Sequence, residues 1–491
     1  MKIAVIGGGI AGMAAAYELQ NARAGGVPIA YTLFEARPRL GGVIASETID
    51  GGVLECGPDS FLSEKPAAAE LCRELGLGDQ LIPSNDAGRQ TLIAVRNRLV
   101  PLPDGLMFLV PTRLLPTALS PLFSLGAKLR MARELLLPPR PSQQDESVAA
   151  FVGRHFGPEL VDRLAGPLLS GIYGGDAAQL SARSVLPKLV DMETRHGSLS
   201  RGMLAAHREV RARAAQKVSA APDPAQRPPR GVFTTLRDGL QQLIDALEAC
   251  LDPACLRRST AVDALEKTAA GWRVTTNGHT ENYDAVILAS PAWAAGAMLA
   301  RVDAGLAGDL AAIPYSSSIT VNLVYDETQL GRLPQGFGFL VPTSEGRAML
   351  ACTFAHRKFL GRTPTGKVVL RAFLGGARNA ALLDRSDAAL VAVVRRELSE
   401  ILGEAIIAPD TAPDTAPEHA RVSRWGDAMA QYAVGHQERM VRVQDRVAAH
   451  PGLRLAGNAY DGIGISDCIR LGRQAARELV ATVSTAPVAT P

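Results

Sequence analysis

Residues 7–12 read Gly-Gly-Gly-Ile-Ala-Gly, a spacing that suits a backbone wrapped around a phosphate. Gly7 allows a tight turn, and Gly9 lets the main chain approach a pyrophosphate where any side chain would clash. Gly12 lets the following helix pack close to the preceding strand. Gly8, Ile10 and Ala11 complete the loop, and free N–H groups at the helix start offer a positive dipole end to the phosphate charge. Glu35 ends the next apolar segment, where a carboxylate would accept hydrogen bonds from an adenosine ribose. The chemistry indicated is dinucleotide binding. No rival constellation stands out: none of the eight histidines has metal-ligand spacing, and no Ser/His/Asp or Cys/His arrangement is evident.

The elements that must hold these residues follow the same order. Residues 2–6 read as a fully buried strand of a parallel sheet. Residues 13–23 read as a helix ended by Gly25-Gly26, and 29–34 as the strand that delivers Glu35. Pro66 and Gly76 bracket a helix over 67–75. Residues 99–204 should be mostly helical with proline interruptions. Residues 205–230 collect Arg208, Arg211, Arg213, Lys217, Arg227 and Arg230 among alanines and prolines, and read as a flexible basic loop. A strand and a helix over 231–251 precede three short strands, two of them joined by the hairpin signal Asn277-Gly278. Residues 284–289 read as another buried strand. Strands punctuated by glycine and proline recur over 318–373, as in an antiparallel sheet. A strand at 453–456, a glycine-rich loop and a helix over 466–483 close the chain.

With 491 residues, two or three structural units are expected. Hydrophobic residues at 47% and charged residues at 21% describe a folded globular chain. A net charge of +3, spread along the sequence, gives no case for a nucleic-acid partner. Six cysteines without paired spacing suggest small buried side chains in a reducing cytoplasm, and the residues after Lys2 read as a strand and glycine loop, not as a signal peptide. The most apolar stretch, 105–137, is broken by Pro111, Arg113, Pro116 and Pro121, too often to span a bilayer. It could lie on a membrane surface or wall a pocket.

The segment Glu35-Ala36-Arg37-Pro38-Arg39-Leu40-Gly41-Gly42 resembles the extended motif of the flavoprotein family that includes amine oxidases, carotenoid desaturases and porphyrinogen oxidases. The loop Ala456-Gly457 to Gly462-Ile463-Gly464-Ile465 resembles the piece that closes over FAD in that family. Three further stretches sharpen the match: Gly57-Pro58-Asp59-Ser60-Phe61, Pro167 to Asp176, and Thr235 to Leu240. Together with Gly462 to Cys468 they resemble the protoporphyrinogen/coproporphyrinogen oxidases, and Lys65 after Gly57–Phe61 is most similar to the bacterial coproporphyrinogen branch. The resemblance implies an α/β fold (α+β overall) with a Rossmann-like FAD-binding domain, an antiparallel-sheet substrate domain and a helical insertion. The expected segments are 1–62, 231–300 and 421–491 for FAD, 63–98 and 301–420 for substrate, and 99–204 for the helical part, the candidate for membrane association.

The resemblance also implies roles. FAD contacts are expected from the loop Gly7–Gly12, Glu35, Ala36, Arg39, Gly41, Gly42, Val43, Gly57, Pro58, Asp59, Ser60, Val262, Trp425, Gly457, Gly462, Ile463, Gly464 and Ile465. A helix N-terminus beside the flavin would stabilise the negative charge that builds on its N1–C2=O edge. Lys65 matches a position that meets a propionate, and Ile172 and Gly174 would line the cavity. Arg89 lies near the place where relatives carry a propionate-binding arginine, but that position falls on Thr91. The expected reaction is oxidation of a porphyrinogen, coproporphyrinogen III or else protoporphyrinogen IX, with O2 as acceptor and no protein base required. The product would pass to a ferrochelatase. An amine oxidase would need an aromatic pair at the flavin, for which Tyr460 is the one candidate. A porphyrin carrier that keeps FAD as a structural ligand is a third reading.

Overall fold

The computed structural model describes residues 1–491 except 105, 108, 112, 113, 140–143, 217–230, 408–415 and 485–491. The run Lys2–Ile6 forms β1, the centre of a five-stranded parallel sheet. β2 (Ala30–Phe34) and Leu256–Arg257 lie on one side of it, Ala285–Leu288 and Leu453–Leu455 on the other. β1 and Ala285–Leu288 are buried on both faces, which explains why they read as continuous apolar runs. α1 (Ile10–Ala24) starts three residues beyond β1 and buries Met13, Ala14, Ala15 and Ala16 completely. Its small side chains let the C-terminal helix Ile465–Ser484 approach closely: a Cβ on Gly472 would stand 2.0 Å from Ala11 O.

The hairpin signal is realised. Asn277 (φ +48°) and Gly278 (φ +77°) form the two-residue turn between Gly271–Thr276 and His279–Tyr283.

A second sheet has seven strands in the order His419–Ala430, Tyr315–Asp326, Lys367–Gly375, Met349–Phe354, Gly338–Leu340, Thr91–Val95 and Arg98–Pro101. All neighbours are antiparallel except Gly338–Leu340 with Thr91–Val95. The period of two along Lys367–Gly375 splits its contacts. Leu370, Ala372 and Leu374 pack with Leu390, Val394 and Leu398 of the helix Asp387–Leu402, while Arg371 reaches Asp59 from the other face. The edge strand His419–Ala430 belongs to this sheet, so a boundary at 421 falls inside a strand. Mixed sheets, helices and a separate parallel sheet make the fold α+β overall, with a Rossmann-like first unit.

Two expectations along the helical stretch change. Residues 99–111 carry strands, including the hairpin of Leu106–Met107 with Val110–Pro111, because prolines and aromatics there lack helical spacing. Helices start at Leu114. The basic loop is also shorter at its start, since 205–216 continues the helix Leu199–Gln216, whose alanines and arginines are strong helix formers. Residues 217–230, with Lys217, Arg227 and Arg230, lie outside the described residues.

The segment that follows the second glycine pair meets the second sheet at a cluster of buried charges. Glu55 and Arg362 pair with side chains only 3% and 6% exposed. Glu55 also accepts from Leu240 N–H at 2.9 Å and from Ser46 Oγ at 2.5 Å. Asp59 lies between Lys358 (2.9 Å) and Arg371 (3.2 Å). Arg371 donates to Gly57 O, and Asn322 Nδ2 donates to Glu55 O at 3.0 Å. Burial alone would raise the Asp59 carboxyl, but Lys358 and Arg371 hold it well below the usual carboxylate range. Removing one partner strands a charge in the joint, so Arg362→Met should cost about 3–5 kcal/mol of stability. Arg273→Met, at the half-exposed pair with Glu266, should cost about 1 kcal/mol or less. Urea unfolding midpoints compare the two, and similar losses would argue against a critical joint.

Candidate functional site

Each end of the first glycine loop has a steric reason. Gly7 (φ +111°) leaves no room for a Cβ, which would meet the Ala289 carbonyl at 2.7 Å. A Cβ on Gly12 would stand 1.9 Å from Gly7 O, so α1 can follow β1 this closely only with glycine there. Gly9 differs: its Cβ would meet nothing within 4 Å. It faces open space at the N-terminus of α1, which no side chain caps. A cradle of bare backbone with unclaimed N–H groups fits a pyrophosphate, so the residues present suit FAD.

The acidic residue is placed beside this cradle. Glu35 accepts from Gly8 N–H at 2.6 Å with one oxygen and from Arg37 N–H at 2.8 Å with the other. Each oxygen keeps a lone pair for a ribose hydroxyl. Ala36 follows at the exposed end of β2. Thr260 N–H donates to Glu35 O at 2.9 Å, which brings the segment leading to Val262 alongside.

The second glycine pair joins the first. Gly41 N–H donates to Gly8 O at 2.8 Å, and a Cβ on Gly42 would lie 3.2 Å from Gly9 Cα. Arg39 ties this turn together by donating to Leu40 O (3.0 Å), Ile44 O (2.9 Å) and Gly42 O. Its guanidinium lies 5.8 Å from the ring centroid of Trp425, whose Nε1 donates to Cys56 O at 2.8 Å. Gly57 abuts Val43, since a Cβ there would stand 1.7 Å from Val43 O. Next to Pro58, Asp59 and Ser60 turn to the charged joint: Ser60 Oγ donates to Asp59 at 2.6 Å.

The C-terminal loop arrives from the other side. Gly457 (φ +134°) and Gly462 (φ +103°) adopt backbone that favours glycine. The loop's brace is Tyr432, whose hydroxyl donates to Asn458 O at 2.9 Å and accepts from Gly462 N–H at 2.7 Å. Burial pushes that hydroxyl well up, so it stays protonated. His436 stacks on the Tyr432 ring at 4.1 Å, and burial pushes it down to about 4, so it is neutral near pH 7. Ile463 leads into Gly464, whose N–H donates to Asp467 at 3.3 Å, and Ile465 is buried at the helix start. Lys65 Nζ reaches Asp467 at 2.6 Å.

A cavity of about 720 Å³ opens between the helical unit and the second sheet. Gly166, Ser170 and Gly174 line one wall, Met349, Leu350 and Gly376 the other. A wide π-helical turn, Val161–Ala165, borders it ahead of the helix Gly166–Tyr173. Gly174 (φ +59°) ends that helix, and a Cβ there would meet Ser316 Oγ at 2.8 Å. Tyr173 lies 6.4 Å from Tyr432, so one aromatic contact separates the cavity wall from the brace of the C-terminal loop. Arg378 pairs with Asp176 at 2.8 Å on the cavity lining. Ile172 is half a turn away from Ser170 and Gly174 and 44% exposed, outside the lining. Arg89 is exposed just before the strand Thr91–Val95. Tyr460 is packed in a core cluster.

Three contributors escaped the sequence reading. Tyr432 has no local signal. Arg371 could have been noticed as a charge in the middle of the apolar run 368–375. Asp467 could have been noticed as a first-turn acid at a helix start. The two glycine roles are separable by experiment. Gly9→Ala should leave unfolding of the FAD-free chain within about 1 kcal/mol of the parent while cutting FAD retention on gel filtration at least tenfold. Gly12→Ala should lower the stability of the FAD-free chain as well, because backbone must move.

The sequence profile of flavin containing amine oxidoreductases matches residues 10–480. The chain is 33% identical to the coproporphyrinogen III oxidase of Bacillus subtilis, covering 96% of each, and 32% identical to that of Staphylococcus aureus, covering 98% and 99%. It is 33% identical to human protoporphyrinogen oxidase, covering 98% of each. A crystal structure of an Exiguobacterium protein assigned as a protoporphyrinogen oxidase superposes with a TM-score of 0.84 at 31% identity, covering 98% and 99%. Cyclohexylamine oxidase from Brevibacterium oxydans, at 17% identity and a TM-score of 0.66, shares the fold. The chain belongs to the flavin containing amine oxidoreductase family, in the group that holds the coproporphyrinogen III and protoporphyrinogen oxidases.

Proposed function

We propose that the protein oxidises coproporphyrinogen III to coproporphyrin III in haem synthesis, with FAD held between the two glycine loops and the start of the C-terminal helix. The observation that carries this reading is the cavity of about 720 Å³ one aromatic contact from the C-terminal loop. It lies within the about 300–1,000 Å³ typical of small-molecule chambers, and its apolar walls suit a macrocycle. In each of three rounds bound FAD would supply a hydride acceptor while the porphyrinogen releases one further proton, so that O2 takes two electrons and two protons in all and leaves as H2O2. The chain's own part is to bind and orient. Arg347 and Arg378 on the cavity lining offer cations to side-chain carboxylates, and Gly174 keeps the wall thin beside Tyr173. The porphyrin product would then be handed to an iron-inserting enzyme of the ferrochelatase kind.

Among the described residues, no helix is long and apolar enough to cross a membrane. Peripheral docking is supported by one surface. Leu115, Leu119, Leu125, Leu129 and Leu136 are each at least 70% exposed. Leu125, Leu129 and Leu136 share one face of the helix Leu125–Glu134 and its extension, opposite the buried Ala127 and Met131. Lys128, Arg130 and Arg133 flank them, which suits an anionic lipid surface.

Initial rates of porphyrin fluorescence under air, with coproporphyrinogen III and protoporphyrinogen IX, test the reaction. At least a tenfold preference in kcat/KM for coproporphyrinogen III is expected; the opposite preference would sink the substrate assignment. For docking, co-sedimentation with vesicles containing a third phosphatidylglycerol should fall at least fivefold in a Leu125→Ser/Leu129→Ser variant. Sedimentation that depends on neither leucines nor anionic lipid would remove the membrane reading.

A further inference from the structure

Lys65 and Asp467 meet where net charge matters. Asp467 stands in the first turn of the C-terminal helix, and its carboxylate accepts from Lys65 Nζ at 2.6 Å and Gly464 N–H at 3.3 Å. Its side chain is 10% exposed against 42% for Lys65, so the carboxylate is the buried member and the ammonium covers it from the solvent side. Ser466 Oγ donates to Lys65 O at 3.1 Å, a second tie from the helix start to Lys65. Gly462 is pressed against the same carboxylate: a Cβ there would meet Asp467 Cγ at 2.3 Å. The field of this acid reaches the cavity side as well, since Tyr173 is pushed up to about 12, first by burial and then by the Asp467 charge.

We propose that Lys65 sets the reduction potential of the flavin by neutralising Asp467 at the N-terminus of the C-terminal helix. This rests on the placement of FAD proposed above. A reduced flavin carries added negative charge, and helix N–H groups favour it. A bare carboxylate in the same turn opposes it, strongly so because Asp467 is screened little by water. The paired ammonium cancels that opposition and leaves the helix end electropositive. Lys65 thereby acts through Asp467, as a tuning residue, and its ammonium is committed before substrate arrives.

The test is the midpoint potential of bound FAD, measured by anaerobic dye-coupled titration in wild type, Lys65→Met, Lys65→Arg, Asp467→Asn and Lys65→Met/Asp467→Asn. Lys65→Met should shift the potential negative, Asp467→Asn should shift it positive, and the double variant should return towards wild type. Lys65→Arg should hold the wild-type value. Unchanged potentials together with a higher KM for coproporphyrinogen III would overturn the proposal and make Lys65 a carboxylate clamp for substrate. If Asp467→Asn fails to fold, the pair Lys65→Met and Lys65→Arg still decides, because Lys65 is partly exposed. A wild-type chain that binds no FAD would overturn the cofactor placement itself; FAD bound with flat potentials overturns this inference alone.

Discussion

The buried ion pairs at residues 55–59 constrain everything built around them. Glu55 and Asp59 come from the segment that follows the second glycine pair, and their partners Lys358, Arg362 and Arg371 come from the second sheet or its flanks. Two negative and three positive groups taken out of water would cost several kcal/mol each if any were left alone. The arrangement resists slippage, because three of the four carboxylate oxygens also have a fixed uncharged donor: Leu240 N–H and Ser46 Oγ for Glu55, Ser60 Oγ for Asp59. Apolar packing would hold the two units together as firmly, but it is non-directional. Charge pairing adds register, and register is what a cofactor shared between segments needs. Arg371 shows the consequence, since the same guanidinium that meets Asp59 also holds Gly57 O, the residue pressed against Val43.

Glycine does two different jobs within a few ångström. Gly12, Gly57 and Gly472 are forced by the protein's own atoms, each with less than 2.1 Å for an added Cβ. They let a helix, a loop and a second helix close on one another. Gly9 has nothing within 4 Å and no positive φ, and is explained by what must approach it; Gly457 is equally open, but its φ of +134° already favours glycine. The same letter in the sequence thus marks internal packing in one place and a ligand surface in another. Only the coordinates separate the two.

The strand–loop–helix–strand unit was legible from local signals alone, since β1 and β2 are short apolar runs, α1 is built of strong helix formers and the glycines punctuate them. The Asn277-Gly278 hairpin was legible for the same reason: both residues need positive φ. What escaped was non-local. The strand His419–Ala430 pairs with Tyr315–Asp326 across about a hundred residues of chain, and nothing near residue 421 announces that partner. The helix Leu199–Gln216 was hidden by its charge, which suggests a solvated loop although alanine and arginine both favour helix. Resemblance marks Ile172 and Gly174 alike, but Ser170 and Gly174 line the cavity beside the second sheet while Ile172 stands exposed outside that lining. A motif match fixes a segment; helical phase decides which of its residues face the ligand.

The distribution of polar groups explains how so large a chain can act without an evident catalytic side chain. Its best-paired buried charges lie in joints: Glu55 with Arg362, Asp59 with Lys358 and Arg371, and Glu134 with His155 and the N–H groups of Leu199 and Ser200. The buried hydroxyl of Tyr432 is spent on bracing a loop, and His436 beneath it is kept neutral by burial. The cavity wall combines glycines and aliphatic side chains with the charged groups Asp162, Asp176, Arg347 and Arg378. Most of the paired buried charge named here holds backbone in place around the glycine loops and their neighbours. Rigidity is the appropriate investment when the cofactor supplies the chemistry, because a hydride moves only over a short and well-defined distance. The first-turn acid of the C-terminal helix, Asp467, is itself already paired with Lys65.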